Sequence, residues 1–331
     1  MTRVGLVLGA GGVVGQAYHA GVLAALEHDL GWDPRTAELM VGSSAGSITS
    51  TLLRLGVPAA DLAAWAVEAP LSMEGESVFE LIGENASDLP PFSMANVLRP
   101  WRLPSSALLL RAARRPWAFR PGVAAMTMMP SGRVDIAERA EVLRAVAGEA
   151  WPPGLWICAA RRRDGKRVVF GREGSPPAPL ASAVAASCAI PGYFSPIRIG
   201  KEQYFDGGVH SPTNADVLRH SGLDLVIVVS PMSAARGRGR AVDAGFRWAA
   251  HRRLGREIAK LREAGTTVVR FEPGPRSLLA MGMNAMAVDR SDDVVREAFL
   301  EAGRQANRDA IARRLEPLAT RRPRPTVPAP A

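Results

Sequence analysis

Ser44 stands between two glycines, in Gly42-Ser43-Ser44-Ala45-Gly46. Leu39 to Val41, just before it, reads as a short apolar strand, and the residues after it read as a helix through Leu53. A serine on such a tight strand-to-helix turn is thrust outward with its hydroxyl exposed. Flanking glycines keep side chains clear and tolerate unusual backbone angles. The positive end of the following helix favours negative charge developing beside the serine. Those are the needs of a nucleophile in acyl transfer. The same small residues also suit a plain loop packing a helix on a strand, so the motif alone leaves both readings open.

Two further segments carry chemistry. Gly9-Ala10-Gly11-Gly12-Val13-Val14-Gly15 is a glycine-rich turn. A phosphate loop would need Gly-Lys-Ser/Thr, which is absent. The dinucleotide fingerprint fails as well, because Val14 holds the place of its third glycine. Backbone N–H groups of such a loop can instead hold an oxyanion, and losing one such donor costs a hydrolase about 3 kcal/mol of transition-state stabilisation. The remaining segment is Asp206-Gly207-Gly208, after Tyr204-Phe205. It reads either as a simple turn or as a carboxylate poised to act as a base.

The elements that must position these residues alternate. Val4 to Leu8 reads as a buried strand, and Gln16 to His28 as a helix with Tyr18, Val22, Leu23 and Leu26 at helical spacing. Pro58 suits the first turn of a helix reaching about Ala69. Further strands are expected at Leu155–Ala160, Val168–Phe170, Leu225–Val229 and Val268–Phe271. Helices are expected at Leu180–Ser187, Ala241–Glu263 and Asp292–Leu315. Such alternation argues for a parallel α/β sheet covered on both faces. Between Pro70 and Gly148 prolines, methionines, tryptophans and arginines cluster and periodicity weakens, as in an inserted cap. The stretch 317–331 is proline-rich and reads as a disordered tail.

The ordered set of the Gly-Ala-Gly-Gly turn, Ala17-Tyr18-His19-Ala20-Gly21-Val22-Leu23, Gly42-Ser43-Ser44-Ala45-Gly46, Ser187-Cys188-Ala189-Ile190-Pro191 and Asp206-Gly207-Gly208 resembles the bacterial patatin-like phospholipases over roughly Val4 to Phe271. That resemblance implies a three-layer α/β/α sandwich around a mainly parallel sheet, with one hydrolase domain over residues 1–316 and a cap inserted at about 70–150. It implies a Ser–Asp dyad in which Ser44 is the nucleophile and Asp206 the base. It implies an oxyanion hole at the backbone N–H groups of Gly11 and Gly12. The implied reaction cleaves carboxylic esters of lipids through an acyl-serine intermediate and requires no metal or cofactor. The family often carries Arg or Lys ahead of the last glycine of its glycine-rich loop, where this chain has Val14 and Gly15. Electrostatic help from that loop is thereby in doubt, though its backbone donors are not. A carboxylesterase or transacylase on other esters, and a non-catalytic lipid-binding protein, share the same fold signals.

The rival to a dyad is a histidine base. Of His19, His28, His210, His220 and His251, His210 follows Asp206 most closely, and His19 suits helix packing. Cys158 and Cys188 lie in apolar surroundings and read as small buried hydrophobes. The net charge of +9 comes mostly from scattered arginines. Trp101-Arg102-Leu103, Leu108-Leu109-Leu110, Arg111, Arg114-Arg115 and Trp117-Ala118-Phe119-Arg120 interleave apolar and basic residues. They suit either peripheral contact with an anionic membrane or a core-packing cap with solvated arginines. Arg161-Arg162-Arg163 and Arg236, Arg238 and Arg240 read as phosphate contacts or as solvated loops, and no nucleic-acid motif accompanies them. No apolar run is long enough to span a bilayer and no leader peptide is recognisable, so a cytoplasmic protein, soluble or bound at a membrane surface, is expected.

Overall fold

The computed structural model describes residues 2–82, 100–134, 136, 144, 150–235 and 243–319. Strand β1 (Val4–Leu8) is five apolar residues, every one buried. An unbroken apolar run is what a strand covered on both faces requires. It pairs in parallel with β2 (Leu39–Gly42) on one side and with β7 (Leu225–Val229) on the other. Outward from these lie β3 (Leu155–Arg161), parallel to β2, and β8 (Thr267–Phe271), parallel to β7.

Side chains alternate across this sheet into two cores. Leu6, Leu8, Met40, Ile157, Ile227 and Phe271 face one layer. That layer includes α1 (Gly12–Leu30), α2 (Ala45–Arg54), α3 (Ala59–Ala66) and the later helices Leu180–Cys188 and Ser291–Ala306. Val7, Val41, Cys158, Val226 and Val228 face the opposite layer, formed by the helix Ala244–Glu263 and a 3-10 turn at Ala215–Leu218. The result is the expected three-layer α/β/α sandwich around a mainly parallel sheet.

Two strands, β4 (Arg167–Phe170) and β6 (Glu202–Asp206), run against the rest. β4 returns antiparallel along β3, and β5 (Ile197–Ile199) and β6 form a hairpin. The hairpin was not foreseen, because Arg198, Glu202 and Gln203 interrupt its apolar pattern. Its short turn at Gly200-Lys201, with Gly200 at φ 59°, was the available signal.

Other boundaries shift for local reasons. α1 begins at Gly12 rather than Gln16, since the Gly15 N–H already donates to the Gly11 carbonyl at 3.1 Å. The single helix expected over Asp292–Leu315 is two helices, because Arg308 is extended (φ −74°, ψ 131°) and caps the second at Asp309. At the end of the expected domain, Glu316–Leu318 forms a 3-10 turn with Leu318 buried. The rest of the expected tail, 320–331, lies outside the described residues. Within the expected cap, α4 (Met73–Ile82), α5 (Ser106–Arg114) and α6 (Pro121–Met128) are short helices.

Candidate active site

Ser44 sits where β2 ends and α2 begins, at φ 52° and ψ −124°. Few non-glycine residues adopt a positive φ, and such strain persists only where the surroundings enforce it. Here they do. A Cβ on Gly46 would lie 1.9 Å from the Leu8 carbonyl oxygen, and one on Gly42 would lie 2.5 Å from the Ser47 Cα. Gly46 lets the turn press directly on β1 and Gly42 lets the start of α2 fold back over it, and the serine is left at the crest, mostly buried.

Asp206 reaches the same place by sheet register. Ile157 of β3 pairs with Gly42 on one edge and Phe170 on the other, whereas Ala159 pairs with Asp206 and Val168. β2 and β6 therefore share one edge of β3 and run toward each other, the end of one meeting the end of the other. The Asp206 carboxyl lies close enough to the Ser44 side chain to interact with it and accepts the Gly208 N–H at 2.6 Å. Burial raises its pKa to about 6, and the favourable contacts with Ser44 and Gly208 only partly oppose that rise.

Two helix N-termini point at this spot, because α1 and α2 follow adjacent parallel strands. At the start of α1 the Ala10 N–H is taken by the Pro212 carbonyl at 2.8 Å and the Val14 N–H by the Ala285 carbonyl at 3.2 Å. The N–H groups of Gly11, Gly12 and Val13 have no partner among the described residues. Gly12 has φ 64°, and a Cβ there would lie 2.4 Å from the Ala285 carbonyl oxygen. Free N–H groups at the positive end of a helix form a ready anion site.

Two residues with no assigned part in the sequence reading hold this geometry. Ser187 Oγ accepts the Ser44 N–H at 2.9 Å and donates to the Cys158 carbonyl at 2.7 Å, pinning the serine turn to β3. Its signal was its place in Ser187-Cys188-Ala189-Ile190-Pro191. Asn214, left-handed at φ 53°, donates from Nδ2 to the Ser43 hydroxyl and to the carbonyls of Gly207 and Ser211. It follows Asp206-Gly207-Gly208 closely, but nothing in its neighbours marks it.

The sequence profile described as Patatin-like phospholipase matches residues 6–219, well over half the chain and the whole of this site. The chain belongs to the patatin-like phospholipase family. No curated protein sequence matches it. Solved structures similar to this patatin-like chain include VipD from Legionella pneumophila, at 13% identity and TM-score 0.40, covering 92% of this chain and 67% of that one. The type III effector ExoU is 19% identical with TM-score 0.35, covering 95% and 53%. Human GIVD cytosolic phospholipase A2 is 10% identical with TM-score 0.44, covering 96% and 63%. The chain thus spans about half to two thirds of the length of these proteins.

In this patatin-like site the histidines stand apart from the carboxylate. The His210 ring takes the Arg120 guanidinium at 3.0 Å on Nε2, and its Nδ1 lies 3.3 Å from Asn214 Oδ1. Burial and the neighbouring arginines, Arg167 first, push its pKa down to about 3. His19 is fully buried in α1 with Nδ1 3.3 Å from Thr49 Oγ1, in keeping with a packing role. Burial also pushes both cysteine thiols up to about 12, so they stay protonated.

Proposed function

We propose that the chain hydrolyses acyl esters of lipids, phospholipids among them, with Ser44 as nucleophile and Asp206 as general base. The observation that carries this reading is that the ends of β2 and β6 meet on one edge of β3, setting Ser44 beside a buried carboxylate whose pKa is raised to about 6. A carboxylate so tuned is ionised at neutral pH yet basic enough to take a proton. The Ser44 hydroxyl gives its proton to Asp206 as its oxygen attacks the ester carbonyl carbon. The N–H groups of Gly11 and Gly12 receive the resulting oxyanion. Collapse expels the alcohol, which takes the proton from Asp206 and leaves an acyl-serine. Water, deprotonated by Asp206, then attacks the acyl carbon, and Ser44 recovers its proton as the fatty acid leaves.

The test is covalent labelling by a fluorophosphonate. Labelling of the native chain that vanishes in Ser44→Ala is expected, with ester hydrolysis reduced at least about 10³-fold. A native chain that does not label would instead favour a lipid-binding protein without catalysis.

Peripheral membrane contact belongs to the same proposal. Leu103 is 90% and Trp117 82% exposed, and Leu109 and Leu110 stand out from α5 beside Arg111 and Arg114. This mixture of apolar and basic groups fits an interface with anionic lipid. Among the described residues no helix is long and apolar enough to cross a membrane. Sedimentation with liposomes should show weaker binding by the double variant Leu103→Ser/Trp117→Ser; undiminished binding would count against this face. The assignment of residues 1–316 to one hydrolase domain with an inserted cap is part of this proposal.

A further inference from the structure

Cations converge on a cavity away from Ser44. Its volume is about 300 Å³, and Arg102 of the cap, Arg162 and Arg163 after β3, and Arg198 and Lys201 of the β5–β6 hairpin line it. One carboxylate, Glu202, also lines it, and that group pairs with Arg163 at 3.1 Å. Arg102, Arg162, Arg198 and Lys201 have no ion pair among the described residues. Gln203, on the cavity wall, lies three residues before Asp206 on the same strand, about 10 Å along it.

Arg162 distinguishes this place from a solvated basic surface. Its residue is only 8% exposed. Its Nη1 donates to Ser131 Oγ at 3.0 Å and to Gln203 Oε1 at 3.2 Å, and its Nη2 to the Met129 carbonyl at 3.4 Å. Its Nε has no partner among the described residues, and the guanidinium lies over the Phe205 ring at 5.0 Å. Its side-chain hydrogen-bond partners among the described residues are thus all neutral. A buried cation without a counter-charge is costly, and an anion entering the cavity relieves that cost for Arg162 and its neighbours together.

We propose that this cavity binds a phosphoryl anion. Guanidinium forks match phosphate oxygens two at a time, and a cluster of four unpaired cations suits a multiply charged group better than a single carboxylate. The volume admits a phosphate with a small substituent and leaves acyl chains outside. Exposed Leu103 at the rim, with Trp101 beside Arg102, offers apolar surface to such chains. The shared chemistry is a phosphate mono- or diester, carried by a lipid headgroup or free in solution. The proposal does not depend on Ser44 chemistry, and its readout is binding rather than turnover.

The experiment compares the full chain with Arg198→Gln/Lys201→Gln, two exposed residues whose replacement leaves the core intact, and with Arg304→Gln/Arg308→Gln, an equally charged exposed pair elsewhere. Each is sedimented with phosphatidylglycerol–phosphatidylcholine vesicles and with pure phosphatidylcholine vesicles, and titrated calorimetrically with inorganic phosphate. Arg162→Gln is measured alongside. The hairpin pair is expected to lose roughly tenfold or more in affinity for the anionic vesicles, for inorganic phosphate or for both, with the distant pair changed little. A loss confined to vesicles assigns the phosphate to a headgroup; a loss confined to inorganic phosphate assigns it to a soluble ligand. Equal losses for the two pairs overturn the proposal. So does a native chain that neither prefers anionic vesicles nor binds phosphate.

Discussion

The side-chain amide of Asn214 donates to the hydroxyl of Ser43 at 2.9 Å, and from the same nitrogen to the Gly207 carbonyl at 3.2 Å. Ser43 precedes the candidate nucleophile and Gly207 follows the candidate base. One buried amide therefore ties together the two turns that must stay in register for a proton to pass between them.

Replacing Asn214 by alanine removes these donors and leaves buried acceptors unsatisfied, at a cost of about 1–3 kcal/mol for each such group. Small misplacement at a reacting centre can lower the rate by up to about 10²-fold. The expected outcome is a fall in kcat on a soluble ester with KM little changed, together with a lower melting temperature. A variant that melts early yet retains full kcat would limit Asn214 to a structural role.

The Asp206 carboxyl gives a prediction with opposite signs for activity and stability. As a base it must be ionised, so kcat/KM should rise with pH through about 6 and then level. Its pKa is raised in the folded chain. The associated stability is therefore present below the unfolded value of 3.8 and is lost as pH climbs through about 6. Ionised Asp206 thus costs the fold about 3 kcal/mol at neutral pH. Asp206→Asn should abolish hydrolysis and raise the melting temperature at pH 8, with little difference from the native chain near pH 3. Melting curves at the two pH values, beside activity, check this.

The histidines supply the converse. His19 and His210 have pKa values lowered to about 3, so the stability tied to their neutral forms is present above the ordinary 6.5 and is lost as pH falls toward 3. Two such groups outweigh the single gain at Asp206, and stability should decline below pH 6. His210→Ala should leave hydrolysis of a short soluble ester within a few-fold of native, because its ring faces Arg120 and Asn214. A loss of several orders of magnitude would restore the histidine base as a rival to the dyad.

Much of the framework was legible along the chain. The runs at Val4–Leu8 and Leu225–Val229 announced central strands without error. Gly42 and Gly46 announced the serine turn because its demands are local: a tight strand-to-helix passage with no room for a Cβ against Leu8 or Ser47. The break at Arg308 and the polar β5–β6 hairpin were not legible, since one extended residue inside a helical period leaves little trace and Arg198, Glu202 and Gln203 mask the strand alternation.

The residues themselves determined which groups were available: a serine on a glycine-flanked turn, free amides at a glycine-rich helix start, and an aspartate before two glycines. Tertiary structure alone decided that β6 would lie on the edge of β3 facing the end of β2, which brings Asp206 to Ser44. It also decided that Ser187 and Asn214 would brace them, that His210 would turn to the cap, and that five scattered cations would share one cavity. The physical reason is range. Turn sterics and apolar periodicity act between near neighbours in the chain, whereas register and electrostatic surroundings depend on segments that meet only when the sheet has formed.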